Sequence, residues 1–109
     1  MPKFLITASY TADGSRGLLQ EGGTGRKRAL EQALQSMNGK LEAMYYAFGD
    51  TDVVLIADVP DNVSGLALSL AANASGTVNV HSTPLITVEE MDAACKKSVA
   101  YRGAGAAAV

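Results

Sequence analysis

The chain has 109 residues, 48% of them hydrophobic, and its 9 Lys or Arg against 11 Asp or Glu give a formal charge of −2. This length and hydrophobic content predict one domain with a compact core. The small negative charge excludes the basic surface typical of proteins that bind nucleic acids or anionic membranes, so we expect neither as a partner.

The N-terminal half begins with a predicted strand and a predicted helix. Residues 1–10 are too weakly hydrophobic for a signal peptide or a membrane span, so we expect a cytoplasmic protein. Alternation over residues 3–10 predicts a strand whose one face carries Phe4, Ile6, Ala8 and Tyr10. Residues 11–25 are rich in glycine and predict a loop. A helix then follows, with Thr24 as N-cap, a stop at Asn38-Gly39, and an apolar stripe of Ala29, Leu30, Ala33, Leu34 and Met37.

The next segment has the pattern of a β-hairpin. Residues 40–48 and 53–59 are β-rich, and the four residues between them include Gly49, Asp50 and Asp52. Two carboxylates this close are also compatible with a metal or acid–base site. We favour the turn, because glycine adopts positive φ readily and the aspartates can accept hydrogen bonds from nearby main-chain N–H groups.

The C-terminal half predicts a helix, a strand and a last short helix. The first helix begins at an N-cap on Asp61 or Asn62, ends at Ser75-Gly76, and has an apolar stripe of Val63, Leu66, Ala67, Leu70, Ala71 and Ala74. Residues 77–86 then predict a strand whose polar face carries Thr77, Asn79, His81 and Thr83. Thr87 opens a capping box for a helix to about Ser98, in which Cys95 is expected to be buried. Residues 1–100 form the predicted domain, and we expect residues 101–109 to be a flexible tail.

The order of these elements predicts an α+β fold of the ferredoxin-like type, with βαββαβ followed by a C-terminal helix. We expect the helices to cover one face of a four-stranded antiparallel sheet. The second and third strands are apolar on both faces, so the other face would expose a hydrophobic patch to water. We therefore predict a homodimer, open to further assembly, in which two sheets pack face to face as a dimeric α/β barrel.

Four stretches of the chain resemble the GYD domain family, a group of bacterial and archaeal proteins. They are MPKFLITASYTADG, NGKLEAMYYAFGDTDVVLIADVPDN, ALSLAANASG and TVEEMDAACKKSVAYR, and the resemblance covers most of residues 1–100. It implies the same dimeric α+β barrel. Gly49 and Asp52 match the motif that names the family, whereas Thr51 replaces its tyrosine, so a role of that hydroxyl does not carry over. Relatives in the wider barrel superfamily include cofactor-free monooxygenases, isomerases and ligand-sensing domains, and fold alone does not choose between these functions.

The residues offer two candidate sites. A pocket on the sheet face away from the helices is predicted from Thr7, Ser9, Tyr45, Tyr46, Asn79 and His81, of which the adjacent tyrosines should point to opposite sides. His81 is the one candidate catalytic residue, because it alone titrates near neutral pH. A weaker anion site is predicted where glycines precede Arg26, Lys27 and Arg28. The single cysteine and single histidine exclude an internal disulfide and a Cys/His zinc site, and we expect no metal or cofactor.

Three hypotheses follow for function. We favour a non-catalytic dimeric module that holds a small, partly apolar molecule between its sheets or in a helix-flanked groove. The alternative is a cofactor-free enzyme, similar to the monooxygenases or isomerases, in which His81 is the acid–base residue and the other pocket residues position the substrate. A purely structural assembly subunit would instead have its interior filled by side chains.

Overall fold

A computed structural model describes residues 1–105 of the chain. They form, in chain order, the elements β1 (Lys3–Tyr10), α1 (Ala12–Gln35), β2 (Lys40–Tyr46), β3 (Val53–Asp58), α2 (Asn62–Ala74), β4 (Val78–Leu85) and α3 (Val88–Cys95). The strands form one antiparallel sheet in the spatial order β2-β3-β1-β4. The predicted α+β fold with βαββαβ order and a C-terminal helix is confirmed. Part of the predicted tail, residues 106–109, lies outside the described residues.

The core lies on the face of the sheet that the helices cover. The two central strands alternate between buried and half-buried residues, as period-two side-chain geometry requires. The buried set comprises Phe4, Ile6 and Ala8 of β1, Val53, Leu55 and Ala57 of β3, Leu34 of α1 and Val59. Neither α1 nor α2 covers the opposite face of the sheet. We call this surface the open face.

Helix α1 begins much earlier than the sequence predicts. Its N-cap is Thr11, whose side chain accepts a hydrogen bond from the main-chain N–H of Gly14. The predicted loop over residues 11–25 and the predicted N-cap at Thr24 are therefore wrong. A kink at Gly22, where φ is 76° and ψ is 169°, divides the helix in two. The predicted stop is confirmed, with Asn38 in the left-handed region at φ 59°.

Gly14 allows the first half of α1 to approach the start of β4. A Cβ at this position would lie 1.9 Å from the carbonyl oxygen of Thr77, so no larger residue fits without movement. The same carbonyl accepts a hydrogen bond of 3.0 Å from the main-chain N–H of Thr11. Tertiary contact thus stabilises a helix that its glycine content disfavours.

Helix α2 presents a different face to the sheet from the one predicted. Its N-cap is Asp61, as expected. The half-buried or buried positions are Ser64, Gly65, Leu68, Ser69 and Ala72, whereas the predicted stripe is exposed, including Val63, Leu66 and Leu70. The reason is close packing: a Cβ on Gly65 would lie 2.9 Å from the Phe4 ring, so only this small face brings the helix down onto the sheet.

Helix α3 has the predicted capping box but not the predicted position. The Thr87 side chain accepts from the Glu90 main-chain N–H, and the Glu90 carboxylate accepts from the Thr87 main-chain N–H. Every residue of α3 is exposed. The prediction that Cys95 is buried is therefore wrong.

Candidate functional site

The open face brings together five of the six residues predicted to bind a ligand. Strand pairing places Thr7 opposite His81 and Ser9 opposite Asn79, and it places Tyr45 opposite Val54. Side chains opposite each other on neighbouring antiparallel strands have Cβ atoms about 5 Å apart. The polar residues of β1 and β4 therefore form one continuous patch, and Tyr45 lies beyond Val54 at the β2 edge, 71% exposed.

The middle of the open face is apolar and one end of it is charged. Leu5, Val54 and Ile56 lie side by side on β1 and β3 and remain half-exposed. At the end, the Lys3 ammonium donates to Asp58 at 2.8 Å and to Glu42 at 2.9 Å. The bond to Asp58, followed by the bond to Glu42, raises the pKa of Lys3. This face thus has a hydrophobic centre between two polar regions.

Among residues 1–105, the strand neighbours of His81 on the open face include no acidic residue. Its cross-strand partner is Thr7, and the flanking residues on the same face of β4 are Asn79 and Thr83. Hydroxyl and amide groups can hydrogen-bond an imidazole, but they do not hold it in the orientation or charge state that a partner carboxylate imposes. The neighbouring Ser9 hydroxyl already donates to the main-chain oxygen of Asp50 at 2.6 Å.

The hairpin between β2 and β3 is confirmed, and its aspartate has a structural partner. The Asp52 carboxylate accepts from the main-chain N–H of Tyr10 at 2.8 Å, and the Asp52 N–H donates to the Ala8 carbonyl at 2.9 Å. Asp52 therefore accepts from a main-chain N–H, as predicted, and the bond links the turn to the end of β1. Gly49 has a φ of 128°, which explains the glycine. Within residues 1–105, no three His, Cys, Asp or Glu side chains form a group that could hold a metal ion.

Tyr46, the sixth predicted residue, lies on the helix side of the sheet. Its hydroxyl donates to the main-chain oxygen of Gly23 at 2.9 Å, immediately after the kink in α1. The expectation that the two adjacent tyrosines face opposite ways is met, and Tyr46 is separated from the other five residues by the sheet. Tyr46 instead lines a pocket with Tyr10, Gly23 and Asp52. This pocket shares Tyr10 with a second site that the sequence did not reveal.

This second site is an apolar cleft of about 100 Å³ on the helix side of the sheet. Helix α1 lies over β2 and β1, and helix α2 lies over β4, so the two helices leave a gap above the central strands. The floor and walls are almost entirely hydrocarbon, and the lining comprises Ile6, Ala8, Tyr10, Arg26, Leu30, Met44, Val53, Leu55, Leu68, Ser69, Ala72, Val78 and Val80. We call this space the helix cleft.

The polar groups of the helix cleft concentrate at the α1 end. Burial raises the pKa of Tyr10, as does the neighbouring Tyr46, while the adjacent Arg26 guanidinium opposes the shift. The pKa of Tyr46 is also raised, again chiefly by burial. Both phenols are therefore protonated at neutral pH. Arg26 contacts the Glu21 carboxylate at 3.2 Å in a half-exposed ion pair.

The predicted anion-binding residues are divided by the helix. Arg26 lines the helix cleft, whereas Lys27 and Arg28 point to solvent. Successive residues on a helix are about 100° apart, so three in a row cannot face one ligand. The sequence pattern thus placed Arg26, Lys27 and Arg28 at one site, although only Arg26 lines the helix cleft. The small residues Ser69 and Ala72, which lie outside the predicted apolar stripe of α2, were the missed indication of the opposite wall.

The comparisons with known proteins give a family and nothing more specific. The family model described as "GYD domain" matches residues 4–95, a range that contains all the helices and strands described within residues 1–105 except Lys3, the first residue of β1. Neither the comparison with curated proteins nor that with solved structures found a match. In residues 1–105, no helix has the length and apolar character needed to cross a membrane.

Proposed function

This chain belongs to the GYD domain family, and we propose that it is a non-catalytic homodimeric module for a small, partly apolar molecule. The observation that carries this proposal is the helix cleft, a space of about 100 Å³ that side chains leave unfilled above the central strands. A purely structural subunit would have its interior packed at the density of other protein cores.

The size of the helix cleft limits the ligand. Apolar cavities of about 150 Å³ hold a benzene molecule. The cleft of about 100 Å³ is smaller than such a cavity and partly open, so it suits a short branched chain or one aromatic ring that stays partly exposed. Binding would bury the hydrocarbon surfaces of Ile6, Leu30 and Val80, and this burial is the main source of affinity for such ligands.

The open face supports the dimeric part of the proposal. Leu5, Val54 and Ile56 form an apolar row across the two central strands, where water contacts one side of an otherwise well-packed sheet. Packing against the same row of a second copy about a two-fold axis would remove this surface from water in both subunits. Tyr45, 71% exposed beside Val54, would gain the partner that its ring lacks in one chain.

The enzyme alternative has less support from the geometry. His81 is exposed on the open face and has Thr7, Asn79 and Thr83 around it, so no carboxylate orients or activates it. The helix cleft, on the other side of the sheet, has no histidine or carboxylate among its lining residues. A general acid or base would have to lie within hydrogen-bond distance of its substrate. We therefore favour binding over catalysis.

Native mass spectrometry of gently purified protein tests the binding proposal. The wild-type spectrum should show a small molecule retained by the protein. In Ala72→Leu, three added carbons enter the helix cleft, so the retained mass should disappear while the far-UV circular dichroism stays unchanged. Ala71→Leu makes the same change on the exposed side of α2 and should keep the ligand. Equal retention by both variants would contradict a ligand in the helix cleft.

Sedimentation velocity tests the dimer. Ile56→Glu places a charge in the middle of the open face and should convert the dimer to a monomer, because a carboxylate buried between two sheets lacks a partner. Leu66→Glu, on the exposed side of α2, is the matched control and should stay dimeric. A wild-type chain that sediments as an 11.3 kDa particle at micromolar concentration would refute the face-to-face contact.

A further inference from the structure

We propose that the ligand of the helix cleft is a small organic carboxylate, with one ring or a short hydrocarbon chain in the apolar part and its carboxylate on Arg26. This inference rests on the proposed binding function and adds the chemical class of the ligand. It comes from the distribution of charge around the helix cleft, in which Arg26 is the one charged residue among thirteen lining residues.

Arg26 retains donors for a ligand despite its ion pair. A guanidinium has five N–H donors in a planar fork. Glu21 contacts Nη1 at 3.2 Å, and both side chains of this pair are about half-exposed. The Tyr10 hydroxyl also accepts from the guanidinium, which leaves the remaining N–H groups of the fork for a ligand. Exposed ion pairs of this kind contribute little to stability, so replacing Glu21 by a ligand carboxylate costs little free energy. A carboxylate matches the guanidinium fork in shape and charge.

Tyr10 and Tyr46, both near Arg26, make different hydrogen bonds. The Tyr46 hydroxyl uses its proton in the bond to the Gly23 main-chain oxygen. Tyr10 lines the helix cleft beside Arg26. Since its phenol stays protonated, its O–H is placed to donate to an oxygen that Arg26 binds. One cation and one neutral donor suit a monoanionic carboxylate better than a phosphate, whose additional charge and oxygens call for more donors.

The opposite end of the helix cleft has its polar atoms paired with each other. The hydroxyls of Ser69 and Ser82 lie 2.5 Å apart in a mutual hydrogen bond. Ile6 lies opposite Ser82 on β1, and the hydrocarbon side chains of Leu68 and Val80 line the same cleft. A ligand in this space therefore has one orientation with its polar group satisfied, which places the carboxylate at α1 and the hydrocarbon toward α2 and β4.

Isothermal titration with benzoate and with benzyl alcohol, a neutral molecule of similar size, tests the ligand class. Wild-type protein should bind benzoate about tenfold more tightly than benzyl alcohol, the factor expected of one charge-assisted contact. Arg26→Gln should remove this difference and leave the affinity for benzyl alcohol within about twofold. Arg28→Gln, which removes the same charge from the exposed side of α1, should behave as the wild type. Tyr10→Phe should weaken benzoate by a smaller factor than Arg26→Gln.

The outcomes separate this inference from the proposed function. Equal affinity of wild-type protein for the two probes, or equal losses in Arg26→Gln and Arg28→Gln, would overturn the carboxylate and leave an apolar binding cleft. Failure of both probes to bind at millimolar concentration would overturn the ligand class, while a mass retained in the native spectrum would preserve the binding function. If Arg26→Gln loses its far-UV dichroism, Tyr10→Phe decides: an unchanged benzoate affinity in that variant overturns the proposal.

Discussion

Two glycines in the first half of α1 should respond in opposite directions to the same substitution. Gly17→Ala adds a methyl group where no other atom lies within 4 Å. It should raise the free energy of unfolding by about 0.5–1 kcal/mol, because alanine loses less backbone entropy than glycine in a helix. Gly14→Ala receives the same gain in helix propensity, but its methyl group meets the main chain of β4.

The magnitude for Gly14→Ala follows from the clash. The new Cβ would lie 1.9 Å from the Thr77 carbonyl oxygen, and real Cβ contacts do not fall below 3.0 Å. Helix and strand must therefore separate, which costs about 1–3 kcal/mol as overpacking. The separation also weakens the hydrogen bond from the Thr11 N–H to the same carbonyl, now 3.0 Å long, at a further cost of about 1 kcal/mol. We expect the two variants to differ in stability by about 2–4 kcal/mol.

Urea unfolding followed by far-UV circular dichroism measures this difference, since the chain has no tryptophan for a fluorescence assay. Equal slopes against urea would show that the two variants expose the same surface on unfolding. If Gly14→Ala stabilises the protein as much as Gly17→Ala does, the first half of α1 does not lie against β4, and the position of this helix described above is wrong.

Three further substitutions test individual contacts. Tyr46→Phe should lower the free energy of unfolding by about 0.5–1.5 kcal/mol because it removes the hydroxyl bonded to Gly23, and its control, Tyr45→Phe, should change little; equal effects would refute the contact. The main-chain N–H of Ser64, followed by its side chain, holds the pKa of Asp61 below its ordinary value of 3.8. This contribution to stability is present above that value and is lost as the pH falls through the lower folded pKa. In Asp61→Asn, Tm should therefore decline less steeply in acid than in the wild type. An equally steep decline of Tm in both proteins would contradict this contribution. His81→Ala should leave the retained ligand mass unchanged, whereas loss of a measurable turnover with binding intact would favour the enzyme alternative.

The strands were predictable because local pattern and tertiary environment agree. Along β1, Phe4, Ile6 and Ala8 are the residues that both alternation and burial select. The same parity, applied to β1 and β4 separately, assigns Thr7 and His81 to one face of the sheet, and their pairing follows from the antiparallel order of the strands. The open face was thus accessible from the sequence pattern alone.

The helices were harder because their boundaries and faces depend on contacts between elements. Residues 11–25 are rich in glycine, a feature that favours a loop in isolation, yet Gly14 is what lets the helix form against β4. Helix α2 is apolar on more than one side, so periodicity alone could not distinguish the stripe of Leu66 and Leu70 from the face with Gly65.

The helix cleft depends on these same contacts. Its width is the distance between α1 and α2, which no local pattern encodes. Gly65 sets the position of one helix through its contact with Phe4, and the kink at Gly22 sets the direction of the other. A site formed by two helices and a sheet becomes apparent only when all three are in place.

The irregular pairing of β2 determines which of Tyr45 and Tyr46 lies on the open face and which lies on the helix side of the sheet. Leu41 pairs with Ala57 and Ala43 pairs with Ile56, so Glu42 is an additional residue in the strand. In an uninterrupted ladder every later side chain of β2 would change sides, and Tyr45 would lie beneath α1 while Tyr46 faced outward. Deleting Glu42 would keep Ala43 opposite Ile56 and leave both tyrosines on their present sides. Regular pairing of Glu42 with Ile56 would instead exchange the two phenols, moving a hydroxyl out of the neighbourhood of Arg26 and placing a different ring on the open face. The extra residue Glu42 thus determines which of two adjacent tyrosines bonds α1 and which one lies on the open face.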